Sequence, residues 1–192
     1  MVDACRWIAE NMIPQNILIL LGKAYGAVEK EKRFNVGTHP EDFEGTQYCD
    51  SLKKIYEALQ NYRNHKDLVR RNILKCDSFM SDAGFILEWD ESQHFTVPRK
   101  IALELYPEEL KISFEKKRWI ELCDKRPRTD NTPPHRDEQR AWLDTLRDFL
   151  PELEEGLKPT IRLYYKDPQW SSLNPNSTID IERFKELLRS SA

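Results

Sequence analysis

Glycine is scarce, six in 192 residues, and no closely spaced set of glycines forms a phosphate-binding loop. That removes the nucleotide-binding motifs built on such loops. Cysteine is scarcer: Cys5, Cys49, Cys76 and Cys123 lie far apart, with no Cys-x-x-Cys pair and no histidine at zinc-finger spacing. Free thiols in a reducing, intracellular compartment are the expectation, and a thiol nucleophile is disfavoured because Cys76 and Cys123 have no evident histidine partner in sequence. Long apolar runs are missing too. The longest, Ile17-Leu-Ile-Leu-Leu21, falls far short of the ~20 residues that span a bilayer. The N-terminus has no basic stretch leading into an apolar segment and a small-residue cleavage site, so neither secretion nor membrane insertion is expected. An excess of positive charge is absent as well: 30 Lys and Arg stand against 33 Asp and Glu. Phosphate contacts would have to come from local clusters at Arg63 to Arg71, Lys116 to Arg118 and Lys125 to Arg128.

What is present is a globular composition, 39% hydrophobic and 33% charged, on a chain of the length of one large domain. Apolar residues recur at helical spacing from about Asp3 to Glu31, and Pro14 divides that stretch into a helical hairpin. A second amphipathic pattern carries Leu52, Ile55, Tyr56 and Leu59, and a third is expected to run from His65 to Cys76. The first part of the chain therefore reads as a helical lobe, about 1–77. From about 82 to 192 the pattern changes to one containing strands. Phe85, Leu87 and Trp89 alternate with Ile86 and Glu88, and Phe95 and Val97 are read as the return strand of a hairpin. Leu110 to Glu115 and Trp119 to Cys123 are read as a second hairpin. A helix over Asp137 to Leu150, a strand over Thr160 to Lys166 and a last helix from Ser177 complete the chain. The fold class is α+β, a helical lobe packed on a small mixed sheet with helices on both sides.

Chemistry is sought where acids fall beside apolar strands, because a carboxylate there costs free energy unless something pairs with it. Asp82, Glu108 and Glu121 are such acids, and carboxylates gathered together hold Mg²⁺ or Mn²⁺, ions that activate water against a phosphodiester. His65 is a candidate nitrogen ligand from the helical lobe. Lys125, with Arg126, Arg128, Arg136 and Arg140, follows Glu121 closely enough to meet a phosphate. Each also has a plain reading as a solvated surface residue or a helix end.

Pro107-Glu108, the strand-like Trp119-Ile-Glu-Leu122 and the elements that follow resemble a known family. It is the metal-dependent cap-snatching endonucleases, of the PD-(D/E)xK class, at the N-terminus of segmented negative-strand RNA virus polymerases. There an acid before a strand and an acid in the next strand hold the metal, and a nearby lysine assists. The resemblance covers roughly residues 60 to 190. It implies His65, Asp82, Glu108 and Glu121 as ligands of Mn²⁺ or Mg²⁺, Glu108, Glu121 and Lys125 as catalytic groups, RNA as substrate, and other polymerase domains or subunits as partners. Two departures stand out. Glu108 replaces the usual Asp, and Cys123 stands where many members have lysine. Some branches keep the fold with a decayed site, so the alternative is a non-catalytic interaction or scaffold domain.

Overall fold

The computed structural model describes residues 13–68, 73–125, 129 and 131–190. Cys5, Trp7 and Ile8 of the expected first helix, residues 69–72, and Arg126 and Arg128 lie outside them. Helix α1 (Gln15–Tyr25) follows Pro14 and ends at Gly26, whose φ of 86° a side-chain-bearing residue rarely adopts. A Cβ on Gly26 would also sit 2.5 Å from Asp82 Oδ2. Short strands β1 (Val28–Lys30) and β2 (Arg33–Phe34) follow, then α2 (Cys49–Arg63). Asn64, in the left-handed conformation, stops α2. The helix expected from His65 to Cys76 is not formed over its described part, where Leu74–Lys75 is strand β3. With β1 and β2 also in place, the first seventy-odd residues are not all-helical.

The main sheet has the order β1-β4-β5-β6, with β4 at Ser78–Met80, β5 at Phe85–Asp90 and β6 at Lys158–Tyr164. β1, β4 and β5 pair antiparallel and β6 runs parallel to β5. The hairpin partner of β5 is therefore the upstream β4 and not Phe95 to Val97. The reason lies in Thr96-Val-Pro98: Thr96 caps α3 (Val97–Glu104) by accepting from the Arg99 N–H at 3.3 Å, and Pro98 is acceptable in a first helical turn but has no N–H for a ladder. The second expected hairpin is not formed either. Leu110 to Glu115 is irregular, and Lys116–Lys125 is helix α4. Trp119 and Cys123 fit a four-residue helical step as well as a two-residue one, and their charged neighbours are good helix formers.

Helix α5 (Arg136–Leu153) crosses over to bring β6 beside β5, as the helix-then-strand order implied. Short α6 (Pro168–Ser171) and α7 (Thr178–Ser190) finish the chain. Helices cover both faces of the sheet. Alternation along β5 sends Phe85, Leu87 and Trp89 into a core with α1 and α7 that includes Leu20, Leu21, Phe184 and Leu188. Ile86 goes to the opposite core, built from α2, α3, α4 and α5 around Leu52, Leu59, Trp142 and Phe149. Glu88 and Asp90 share the parity of Ile86, so two acids on β5 face α5 from inside the protein. No described helix is long and apolar enough to cross a membrane.

Candidate functional site

The expected ligands are spread over the molecule. Asp82 is exposed in the β4–β5 turn, where its Oδ2 accepts the Ala27 N–H at 3.5 Å. Glu121 lies on helix α4 rather than in a strand, exposed and paired with Lys125 at 3.2 Å, one turn along. The α4 helix meets the far end of β5, where the Trp119 indole donates to Asp90 at 2.6 Å. A strand of that length separates the two ends by roughly 16 Å, too far for Asp82 to share an ion with α4. Glu108 is exposed in the turn after α3. His65 sits just past α2 with its ring 3.8 Å from that of His135, beside the start of α5. There the Arg63 guanidinium already supplies the positive charge, 2.9 Å from Asp137 and 3.4 Å from the buried Glu138. Among the described residues no three His, Cys, Asp or Glu side chains gather so that they could hold a metal ion. Arg140 is turned to Gln93, donating to its backbone and side-chain oxygens at 3.0 and 3.1 Å.

The structure does assemble a different set of charges, between β5, β6 and α5. Asp144, Arg147 and Asp148 occupy positions i, i+3 and i+4 of α5 and so share the face turned to the sheet. Arg162, central in β6 and fully buried, donates to Asp148 and to Asp90, each at 2.7 Å, and to the Asp144 carbonyl at 3.0 Å. Arg99, 1% exposed, donates to Asp148 at 2.7 Å and to the Tyr106 hydroxyl at 2.8 Å. Tyr106 in turn donates to Asp148 at 2.8 Å. Arg147 meets Asp144 at 2.9 Å and Glu88 at 3.4 Å and donates to the Lys75 carbonyl at 2.8 Å. His94 Nδ1 lies 2.9 Å from Asp144 and 3.6 Å from Asp90. Three guanidinium groups and one imidazole thus answer four carboxylates.

Burial opposes charge throughout this network, and the pairing decides the outcome. Burial would hold the Asp144 carboxyl up, but His94 and Arg162 outweigh it and keep it well below the usual range. Burial would likewise discharge His94, yet Asp144 and Asp90 raise its pKa. Arg162 is raised well above its ordinary value, the nearby Asp148, Asp90 and Asp144 exceeding the cost of burial. Glu88 is the exception. Burial pushes it up to about 8 in spite of Arg147, so near neutrality much of it carries a proton.

Beside the network, at the carboxyl end of β5, a cleft opens to solvent. Its volume is about 320 Å³, and Ile13, Leu18, Trp89, Asp77, Glu91 and Ser78 are among the residues lining it. Asp77 directly precedes β4. Its N–H donates to Glu88 Oε1 and its Oδ2 accepts the Trp89 N–H, both at 3.0 Å. Glu91 is 5% exposed, and burial pushes it up to about 7, with His94 and the 2.8 Å donation from Gln93 pulling the other way. Across the Ser92–His94 turn lies a second cavity of about 250 Å³, where Phe95, Tyr164 and Tyr165 meet Lys125 and Lys166.

None of the network residues was picked out from sequence. The signal was available: Arg162 stands inside Thr-Ile-Arg-Leu-Tyr164, and Glu88 inside Phe-Ile-Leu-Glu-Trp89, so the argument applied to Glu121 selects both. Cys76 and Cys123 are free and buried, and burial raises both thiols, Cys123 to about 12, which leaves them inert as nucleophiles. No protein-family model, curated protein or solved structure matches this chain.

Proposed function

We propose that this chain is a non-catalytic interaction domain. The observation that carries the proposal is the pairing of the sheet's interior aspartates with protein cations: Asp90 and Asp148 with Arg162, Asp148 with Arg99, and Asp144 with Arg147. A carboxylate bound to a guanidinium in a dry interior has its lone pairs committed, and removing that partner is strongly unfavourable. Such acids stabilise an architecture and are poorly available to an incoming ion.

The metal-dependent RNA endonuclease stands as a second reading, because one feature favours it. Asp77 immediately before β4 and Glu88 within the next strand repeat the order that the resemblance implies for Glu108 and Glu121, and the two residues are hydrogen-bonded to each other. The position two beyond Glu88 is Asp90, paired with Arg162, where the family pattern wants a free lysine. A degenerate relative of that nuclease class would carry this combination. RNA, Mn²⁺ or Mg²⁺, and polymerase domains as partners belong to the second reading. Incubating the chain with single-stranded RNA in Mn²⁺ separates the two: the interaction domain leaves the RNA intact, and the nuclease cuts it and loses activity on Asp77→Ala.

A further inference from the structure

The cleft at the end of β5 has the makings of a ligand site that the interior network does not use. Its wall is apolar, from Ile13 and Leu18 at the start of α1 and from Trp89. Its polar groups are short of donors. Glu91 is almost wholly buried, and the donation it receives from the neutral amide of Gln93 leaves most of its acceptor positions open. Ser78 lines the same cleft with no solvent exposure, and its hydroxyl has no hydrogen-bond partner among the described residues, an uncommon state for a buried polar atom. Asp77 contributes a third group, with one carboxylate oxygen taken up by the Trp89 N–H.

We propose that this cleft binds an alkylguanidinium or alkylammonium group, its cation between Glu91, Asp77 and Ser78 and its stem along Trp89. Three carboxylates line the cleft, Glu31, Asp77 and Glu91, against exposed Lys30 and against His94, whose charge is engaged by Asp144. An anion would therefore meet repulsion. Glu31 is itself paired with Lys75 at 2.5 Å, whereas Glu91 and Asp77 make no ion pair within 4 Å among the described residues. A cation supplies the donors that Glu91 and Ser78 lack, and an aromatic wall suits the same ligand. The volume fits a small head group and a short stem rather than a large ligand. The groups that face Glu91 electrostatically are Asp77 and Asp90, which oppose its ionisation, and His94, which favours it. Leu18 of α1 and Ile13 just before that helix, both apolar, line the cleft.

This goes beyond the interaction-domain reading, and the two fail separately, because RNA cleavage bears on that reading and cation binding on this one. The test is isothermal titration of the full chain with butylguanidinium, butylammonium and the neutral N-butylacetamide. Both cations are expected to bind at one site, more tightly at pH 8 than at pH 6, with the amide weaker by roughly tenfold or more. Glu91→Gln should cost roughly tenfold in cation affinity while the chain still melts cooperatively. Equal binding of the neutral amide, or unchanged affinity in Glu91→Gln, would overturn the proposal. If Glu91→Gln does not fold, the carboxyl ¹³C resonance of Glu91 in the unaltered chain decides, since a bound cation must lower its titration midpoint and a midpoint that stays put refutes the site. Spermidine and a short arginine-containing peptide, compared side by side, tell a free polyamine from a protein side chain as the source of the cation.

Discussion

Replacing Arg162 by Met removes the centre of the buried network while keeping most of the side-chain volume. Two carboxylates lose a partner at 2.7 Å, and neither is left bare: Asp90 keeps the Trp119 indole, and Asp148 keeps Arg99 and Tyr106. Breaking a buried pair from one side costs about 3 to 5 kcal/mol, because the remaining charge stays in a dry interior. For a chain of this size each kcal/mol moves the melting temperature by about 2 to 4 °C, so Arg162→Met should melt about 6 to 20 °C lower. Urea unfolding followed by circular dichroism measures the same loss as a lower midpoint at unchanged slope. Adding Asp90→Asn removes one of the two stranded charges, and its Oδ1 can still accept from Trp119. The double variant should therefore be more stable than the sum of its two single changes by about 1 kcal/mol or more. A loss below about 1 kcal/mol in Arg162→Met would refute the view that these pairs carry the architecture.

Four further outcomes are expected. Glu91 is raised from 4.5 to about 7, so its protonated form favours folding and stability falls as pH rises from about 4.5 through 7, by about 3 kcal/mol at most. Glu91→Gln should make the fall in melting temperature between pH 5 and pH 8 shallower, with Glu88 and His94 supplying what remains, and an unaltered slope would refute that assignment. His94, raised by Asp144 and Asp90, adds a loss in the same direction above its ordinary 6.5, whereas the depressed Asp144 makes the chain lose stability as pH falls below about 4. Thr96→Ala, which removes the α3 cap, should cost about 1 kcal/mol in urea unfolding. Glu108→Ala and Glu121→Ala should each stay within about 0.5 kcal/mol of the unaltered chain, since Glu108 is exposed and Glu121 makes only a surface pair.

The sequence disclosed the α+β class, the crossover from α5 to β6 and the last helix, because these rest on long periodic segments. Trp142, Leu146, Phe149 and Leu150 leave little doubt about α5, and Thr160-Ile-Arg-Leu-Tyr164 reads as a strand from β-branched and aromatic content. Short segments were ambiguous for a physical reason. Trp119-Ile-Glu-Leu-Cys123 satisfies a step of two and a step of four alike, and tertiary packing of Trp119 and Cys123 against α3 settled it as helix. Phe95 to Val97 has the β-propensity of a strand, but a capping Thr before Val-Pro outweighs it and starts a helix. The site was less legible still. Asp90, Asp144, Asp148, Arg99, Arg147 and Arg162 come from two helices and two strands far apart in sequence, and their pairing is set by the fold.

The most direct test of the central claim is cleavage of a labelled single-stranded RNA by the purified chain in millimolar Mn²⁺, with a chelator as the control. If the interior acids are committed to arginines, the RNA should remain intact in both. Cleavage in Mn²⁺ that the chelator stops and Asp77→Ala abolishes would contradict the account and return the chain to the metal-dependent nucleases.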